Sequence, residues 1–149
     1  MLPQSLETIG KSAFEKLPKL RSICIPPSVR TIGKSAFHSS GLERITLSEG
    51  LKEIGPMAFA NTPLEELRLP ESLQTLADQC LYGCRKLRDL YIPATVTGFG
   101  KEVLGAYGES GEHSWMESRP SGLYVYTPQG SAADLYMQQY PGVYVSREE

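Results

Sequence analysis

Apolar residues return along this chain at one spacing. Ile9, Ile32, Ile54, Leu76 and Phe99 fall 23, 22, 22 and 23 residues apart, and Phe14, Phe37, Phe59, Leu81 and Leu104 keep the same intervals. A third series runs Leu20, Leu42, Leu64 and Leu87. It is followed three residues later by Ile23, Ile45, Leu67 and Leu90, and then by Ile25, Leu47, Leu69 and Ile92. Separate landmarks that shift by one residue at the same places mark a single repeated unit. Within each unit, Ile23-Cys24-Ile25 and its equivalents alternate apolar and polar, the period of a half-buried strand. Pro26, Ser48, Pro70 or Pro93 follows, and proline ends a strand because it has no N–H to give to a ladder. Val29 and Ile32 then turn inward and predict a second, shorter extended segment. Gly10, Gly33 and Gly55 predict a bend that a Cβ would hinder. Ser35-Ala36-Phe37 is too short for a long helix and predicts a single helical turn.

A period of this length with Leu-x-x-Leu-x-Leu spacing is the signature of leucine-rich repeats. The predicted fold class is an α/β-type solenoid. It is a leucine-rich repeat array of 22–23-residue units, with a parallel β-sheet on one face and short helical turns on the other. Stacked units set their strands side by side, about 4.8 Å apart. The leucine and isoleucine positions point inward with Phe14, Phe37 and Phe59, and the intervening residues point outward. One outward column reads Arg21, Glu43, Glu65, Arg88; the next Ser22, Arg44, Glu66, Asp89; the third Cys24, Thr46, Arg68, Tyr91. Such columns make a solvated face kept soluble by mixed charge, or a ligand surface. For a ligand surface the candidate binding residues are Arg44, Glu66, Arg68, Arg88, Asp89 and Tyr91, because arginine and tyrosine most often anchor interfaces.

The pattern divides the chain into three parts: repeats over 1–104, an insert over 105–122, and a C-terminal capping segment over 123–149. The insert carries Tyr107, His113, Trp115, Met116 and Arg119 among glycines and serines, and reads either as part of a cap or as a recognition loop. Leu123 to Tyr126 restores a strand. Ala132 to Tyr140 predicts a short helix capped by Ser131 and stopped by Pro141-Gly142, and Val143 to Val145 predicts a last extended piece. At the other end, Leu2-Pro3 aligns with Leu69-Pro70, so the first unit lacks its strand. The expectation is a segment of a longer protein with a truncated N-terminal edge, any targeting signal lying upstream.

Charge and composition narrow the chemistry. A net charge of −2 over 149 residues argues against a nucleic-acid or anionic-membrane footprint. No apolar run approaches the length of a membrane span, so no membrane insertion of this segment is expected. Cys80 aligns with Ala13, Ala36 and Ala58, and Cys84 falls near Leu17, Ser40 and Thr62; both are assigned to packing rather than to metal or redox work. Cys24 sits in an outward column. His38 occupies a variable slot with Glu15, Ala60 and Tyr82, and His113 lies in the insert, so neither has metal-ligand spacing. There is no nucleophile elbow, phosphate loop or paired-carboxylate signature, and neither catalysis nor a cofactor is expected.

Pro27-Ser-Val-x-x-Ile-Gly-x-x-Ala-Phe37 followed by Leu42-x-x-Ile-x-Leu47 resembles the BspA-like class of bacterial leucine-rich repeats. The resemblance covers about residues 3–104. Cys84 fits that class's Ala-Phe-x-x-Cys turn, although Leu81 replaces the phenylalanine, and Tyr126-Thr-Pro-x-Gly-Ser131 with Tyr136 is similar to its terminal segment. The resemblance implies a secreted or cell-surface bacterial protein. Its expected role is a non-enzymatic protein-interaction or adhesion module, with a protein ligand such as a host extracellular-matrix or cell-surface protein. The alternative is a structural spacer that presents another domain of the parent protein.

Overall fold

In the computed structural model, residues 1–105, 122–140 and 143–148 are described. The insert predicted over 105–122, Trp115 included, lies outside the described residues except for its first and last glycines. The chain winds as a parallel β-solenoid. Its narrow side carries β1 (Thr8–Ile9), β3 (Thr31–Ile32), β5 (Glu53–Ile54), β7 (Thr75–Leu76) and β9 (Gly98–Phe99), hydrogen-bonded in that order as one parallel sheet. These are the short second segments that Val29 and Ile32 foretold. Ile9, Ile32, Ile54 and Leu76 face the interior and are buried.

The broad side carries the longer strands. β2 (Ser22–Ile25) pairs with β4 (Arg44–Leu47), while β6 (Glu66–Arg68), β8 (Asp89–Tyr91), β10 (Tyr124–Pro128) and β11 (Tyr144–Glu148) form a second parallel sheet. All pairings are parallel and in the predicted order, but the side is not one continuous sheet. β4 and β6 lie adjacent, and the Glu65 N–H reaches the Glu43 carbonyl at only 3.4 Å. The register also corrects the spacing at the C-terminal end. Tyr124 pairs with Asp89 and Val125 with Leu90, which sets Gly122, not Leu123, opposite Leu87.

The expected helical turns on the remaining side are not there. Ser35 (φ 56°) and Ser39 (φ 55°) are left-handed, and the same two places recur as Ser12 and Lys16, then Met57 and Asn61. The result is a run of tight turns closed by bonds such as Ala36 N–H to Gly33 C=O and Ser40 N–H to Phe37 C=O. The alternate amides point along the stack instead. Phe14, Phe37 and Phe59 donate their N–H to Ala36, Ala58 and Cys80 of the following unit at 2.7–2.9 Å. A helix would keep all its N–H groups along its own axis, so it could not make these bonds between units. Of the three predicted bend glycines, Gly33 and Gly55 serve close approach, while a Cβ on Gly10 would meet nothing within 4 Å. A Cβ on Gly33 would come within 2.9 Å of the Ile9 carbonyl oxygen, and one on Gly55 within 2.9 Å of that of Ile32.

Inside, the phenylalanines stack. Phe14 and Phe37 have centroids 5.1 Å apart, and Phe37 and Phe59 5.4 Å, each pair 10° from parallel. The one described helix, α1 (Ala132–Met137), begins where Ser131 was expected to cap it, the Ser131 hydroxyl accepting from the Asp134 N–H at 3.1 Å.

Candidate binding surface

Three neighbouring strands build the surface. Leu67, Leu90 and Val125 are buried at their centres, and because side chains alternate along a strand, the residues on either side face out together. The register sets Glu66 beside Asp89 and Tyr124, and Arg68 beside Tyr91 and Tyr126. Four of the six predicted residues therefore meet: Glu66, Arg68, Asp89 and Tyr91.

Their contacts hold one another in place. The Arg68 guanidinium lies over the Tyr91 ring, 3.7 Å from its centroid, while its Nε donates to the Glu66 carboxylate. Tyr91 stacks on Tyr126 at 4.4 Å and 10°, and the Tyr126 hydroxyl donates to Asp89 Oδ1 at 3.0 Å. An exposed cation–π contact contributes about 0.5–1 kcal/mol and an aromatic pair about 0.5–1.5 kcal/mol. These are small amounts for stability, yet they fix two rings and a guanidinium before any partner arrives. The bond to Glu66 raises the Arg68 pKa above its ordinary value, and the bond to Asp89 raises that of Tyr126. The guanidinium stays charged and the phenol stays protonated.

Arg44 and Arg88 are not part of this cluster. Arg44 lies on β4, beyond the break in the sheet, and Arg88 precedes β8 beside a separate cleft. Three residues of the surface were missed. Tyr126 completes the cluster, and Tyr124 stacks on Tyr144 at 5.2 Å. The alternation of Tyr124 and Tyr126 along one strand was a partial signal, but only the register shows that Tyr126 continues the column of Tyr91.

Away from this surface, one histidine and two cysteines have local partners or burial. His38 Nδ1 lies 3.0 Å from Glu15 Oε1, and the Glu15 pKa is lowered by a bond from Ser12 first and by His38 second. Cys84 Sγ donates to the Phe59 carbonyl at 3.1 Å, and both Cys80 and Cys84 are buried, as their columns implied. Among the described residues no group of three or more histidines, cysteines or carboxylates is placed to hold a metal, and no helix is long and apolar enough to cross a membrane.

Six copies of the BspA type leucine rich repeat region match residues 1–106. The chain belongs to that family. Among solved structures, this BspA-type chain is similar to a leucine-rich repeat protein from Bacteroides ovatus, at 22% identity and a TM-score of 0.69, covering 97% of this chain and 36% of that one. It is also similar to the pneumococcal vaccine antigen PcpA, at 24% identity and a TM-score of 0.57, covering 87% of this chain and 42% of that one. At these identities the likeness speaks for the fold. The chain thus spans well under half the length of either structure. No curated protein sequence matches it.

Proposed function

We propose that this repeat array is a non-enzymatic protein-binding module of a secreted or cell-surface bacterial protein. It engages an extracellular protein ligand, such as a host matrix or cell-surface protein, through Glu66, Arg68, Asp89, Tyr91 and Tyr126. The observation that carries the reading is the Arg68–Tyr91–Tyr126 stack. Tyrosine and arginine are the commonest interface anchors, and here they are held in one arrangement by their own contacts. Ordering side chains on binding costs about 0.5–1.5 kcal/mol each, so a preformed stack retains more of its contact energy as affinity. Family membership supports the role of the repeats, and the fold shared with a vaccine antigen supports a location outside the cell. Arg44 and Arg88 lie outside this anchor, Arg44 on the strand beyond the break in the sheet and Arg88 beside a separate cleft.

The test is a surface-plasmon-resonance panel of purified host matrix and cell-surface proteins over the immobilised chain. Arg68→Ala combined with Tyr91→Ala weakens binding of the captured protein at least tenfold, about 1.4 kcal/mol. Lys34→Ala with Lys52→Ala, away from the strand face, leaves it within twofold. If the lysine pair abolishes binding and the strand-face pair is silent, the surface is misassigned. If no panel protein binds, the spacer reading replaces this one.

A further inference from the structure

At the other end of β8, where the strands begin, lies a cleft that the proposed protein site does not use. Glu65, Arg85, Lys86, Arg88 and Gly122 line it. Among the described residues three cations and one carboxylate line it, on a chain whose net charge is −2. Arg85, Lys86 and Arg88 are all exposed, and none has an ion-pair partner among the described residues. That separates them from Arg21, which is paired with Glu43 at 3.0 Å, and from Arg68, which is bonded to Glu66. The equivalent positions of the two preceding units are Ser40, Gly41 and Glu43, then Thr62, Pro63 and Glu65. The positive charge is therefore interrupted by those two units, although the first unit carries Lys19 and Arg21 at the same places. It does not continue as a stripe, which a nucleic-acid backbone would need.

We propose that this cleft binds an acidic polysaccharide, its arginines taking sulfate or carboxylate groups of the sugar. The guanidinium is a planar fork of donors that matches oxyanions two bonds at a time, and two of the three cations are arginine. Charge complementarity selects an anion. The neighbouring strand selects a sugar over an acidic peptide. Tyr124 donates its N–H to the Arg88 carbonyl at 2.7 Å, and it is 47% exposed, stacked on Tyr144, which is 58% exposed. Exposed aromatic faces one strand from a cationic cleft suit a ligand with flat C–H faces between its charged groups.

The experiment is calorimetric titration of the chain with a sulfated oligosaccharide. A polyglutamate peptide and a single-stranded oligonucleotide of matched charge are the competitors. The sulfated sugar binds most tightly, and its affinity falls as salt rises, because exposed charges are screened. Arg85→Ala with Arg88→Ala lowers that affinity at least tenfold. Lys34→Ala with Lys52→Ala removes the same total charge elsewhere and leaves it within twofold. Tyr124→Ala lowers affinity for the sugar and leaves the weak peptide binding unchanged. No sugar binding, equal losses from the two charge pairs, or tighter binding of peptide or oligonucleotide would each overturn the assignment. Circular dichroism of each variant confirms that the solenoid is intact, as expected for exposed substitutions. Because Arg68 and Tyr91 are untouched, failure here leaves the protein-binding reading standing.

Discussion

Single positions in this protein are decided by the column they occupy. Cys80 stands where other units carry Ala13, Ala36 and Ala58, and it is buried; Cys84 stands with Thr62, whose hydroxyl lies 3.5 Å from its sulfur. Burial disfavours the thiolate, pushing the Cys84 pKa up to about 11 and that of Cys80 higher still. Cys24 is exposed on β2. Since thiolate fraction and access together set reactivity, a thiol reagent labels one cysteine in the native protein and three after unfolding. Mass spectrometry that found native labelling at Cys80 or Cys84 would break the column assignment. These columns were legible because burial leaves a period in the sequence. Backbone conformation leaves none when serine, methionine, lysine or glutamine carries a positive φ, as at Ser35, Met57, Lys16 and Gln79. Each residue alone favours the right-handed regions. What holds them is the bond to the next unit, about 22 residues away, which no local reading of Ser-Ala-Phe reveals.

Elements that end a stack must satisfy the amides that a further unit would have met, and α1 is placed to do so. We propose that residues 123–149 cap the array. The Tyr136 hydroxyl accepts from the Val103 N–H and donates to the Gly100 carbonyl, both at 3.0 Å. It stands inside a turn equivalent to the one that the Ala36 N–H and Gly33 carbonyl close directly. The Tyr140 hydroxyl accepts from the Leu104 N–H at 3.3 Å and donates to the Gly105 carbonyl at 3.0 Å, with Tyr140 itself buried. Removing that oxygen leaves buried backbone groups unmet, at a cost of about 1–3 kcal/mol. Tyr144 is largely exposed, and an exposed substitution usually changes stability by no more than about 0.5 kcal/mol. Urea melts of Tyr140→Phe and Tyr144→Phe should therefore separate clearly, the first unfolding at lower denaturant. Equal midpoints would mean that the helix rests against the repeats without terminating them. The helix and its Ser131 cap could be read from sequence because the capping residue is local. The tyrosine bonds to residues 33–36 positions away could not.

The whole molecule is a row of units in which each is stabilised by its two neighbours, and stability is close to additive over those contacts. Its proposed functions follow the same geometry. Strand alternation repeated along the row brings Arg68, Tyr91 and Tyr126, from three separate units, onto one surface. Four members of that surface were legible from outward columns alone. Its tyrosine extension was not, because the register across the insert shifts by one residue from what leucine spacing implies. Position along the row should itself be measurable. Phe37 is fully buried with a stacked ring on each side, Phe14 and Phe59, whereas Phe14 is half-buried and its one described ring partner is Phe37. Emptying a buried aromatic site costs about 3–5 kcal/mol, because packing lost on both faces adds to the transfer term. Phe37→Ala should fall in that range, and Phe14→Ala, which removes one stacked face and a ring already partly wet, should cost distinctly less. The comparison needs urea melts at matched slope, so that a change in midpoint reports stability rather than a change in the unfolded chain. Equal losses, or a larger one at Phe14, would show that the first unit is supported as fully as the second. The nearest-neighbour account of the stack would then fail at its N-terminal edge.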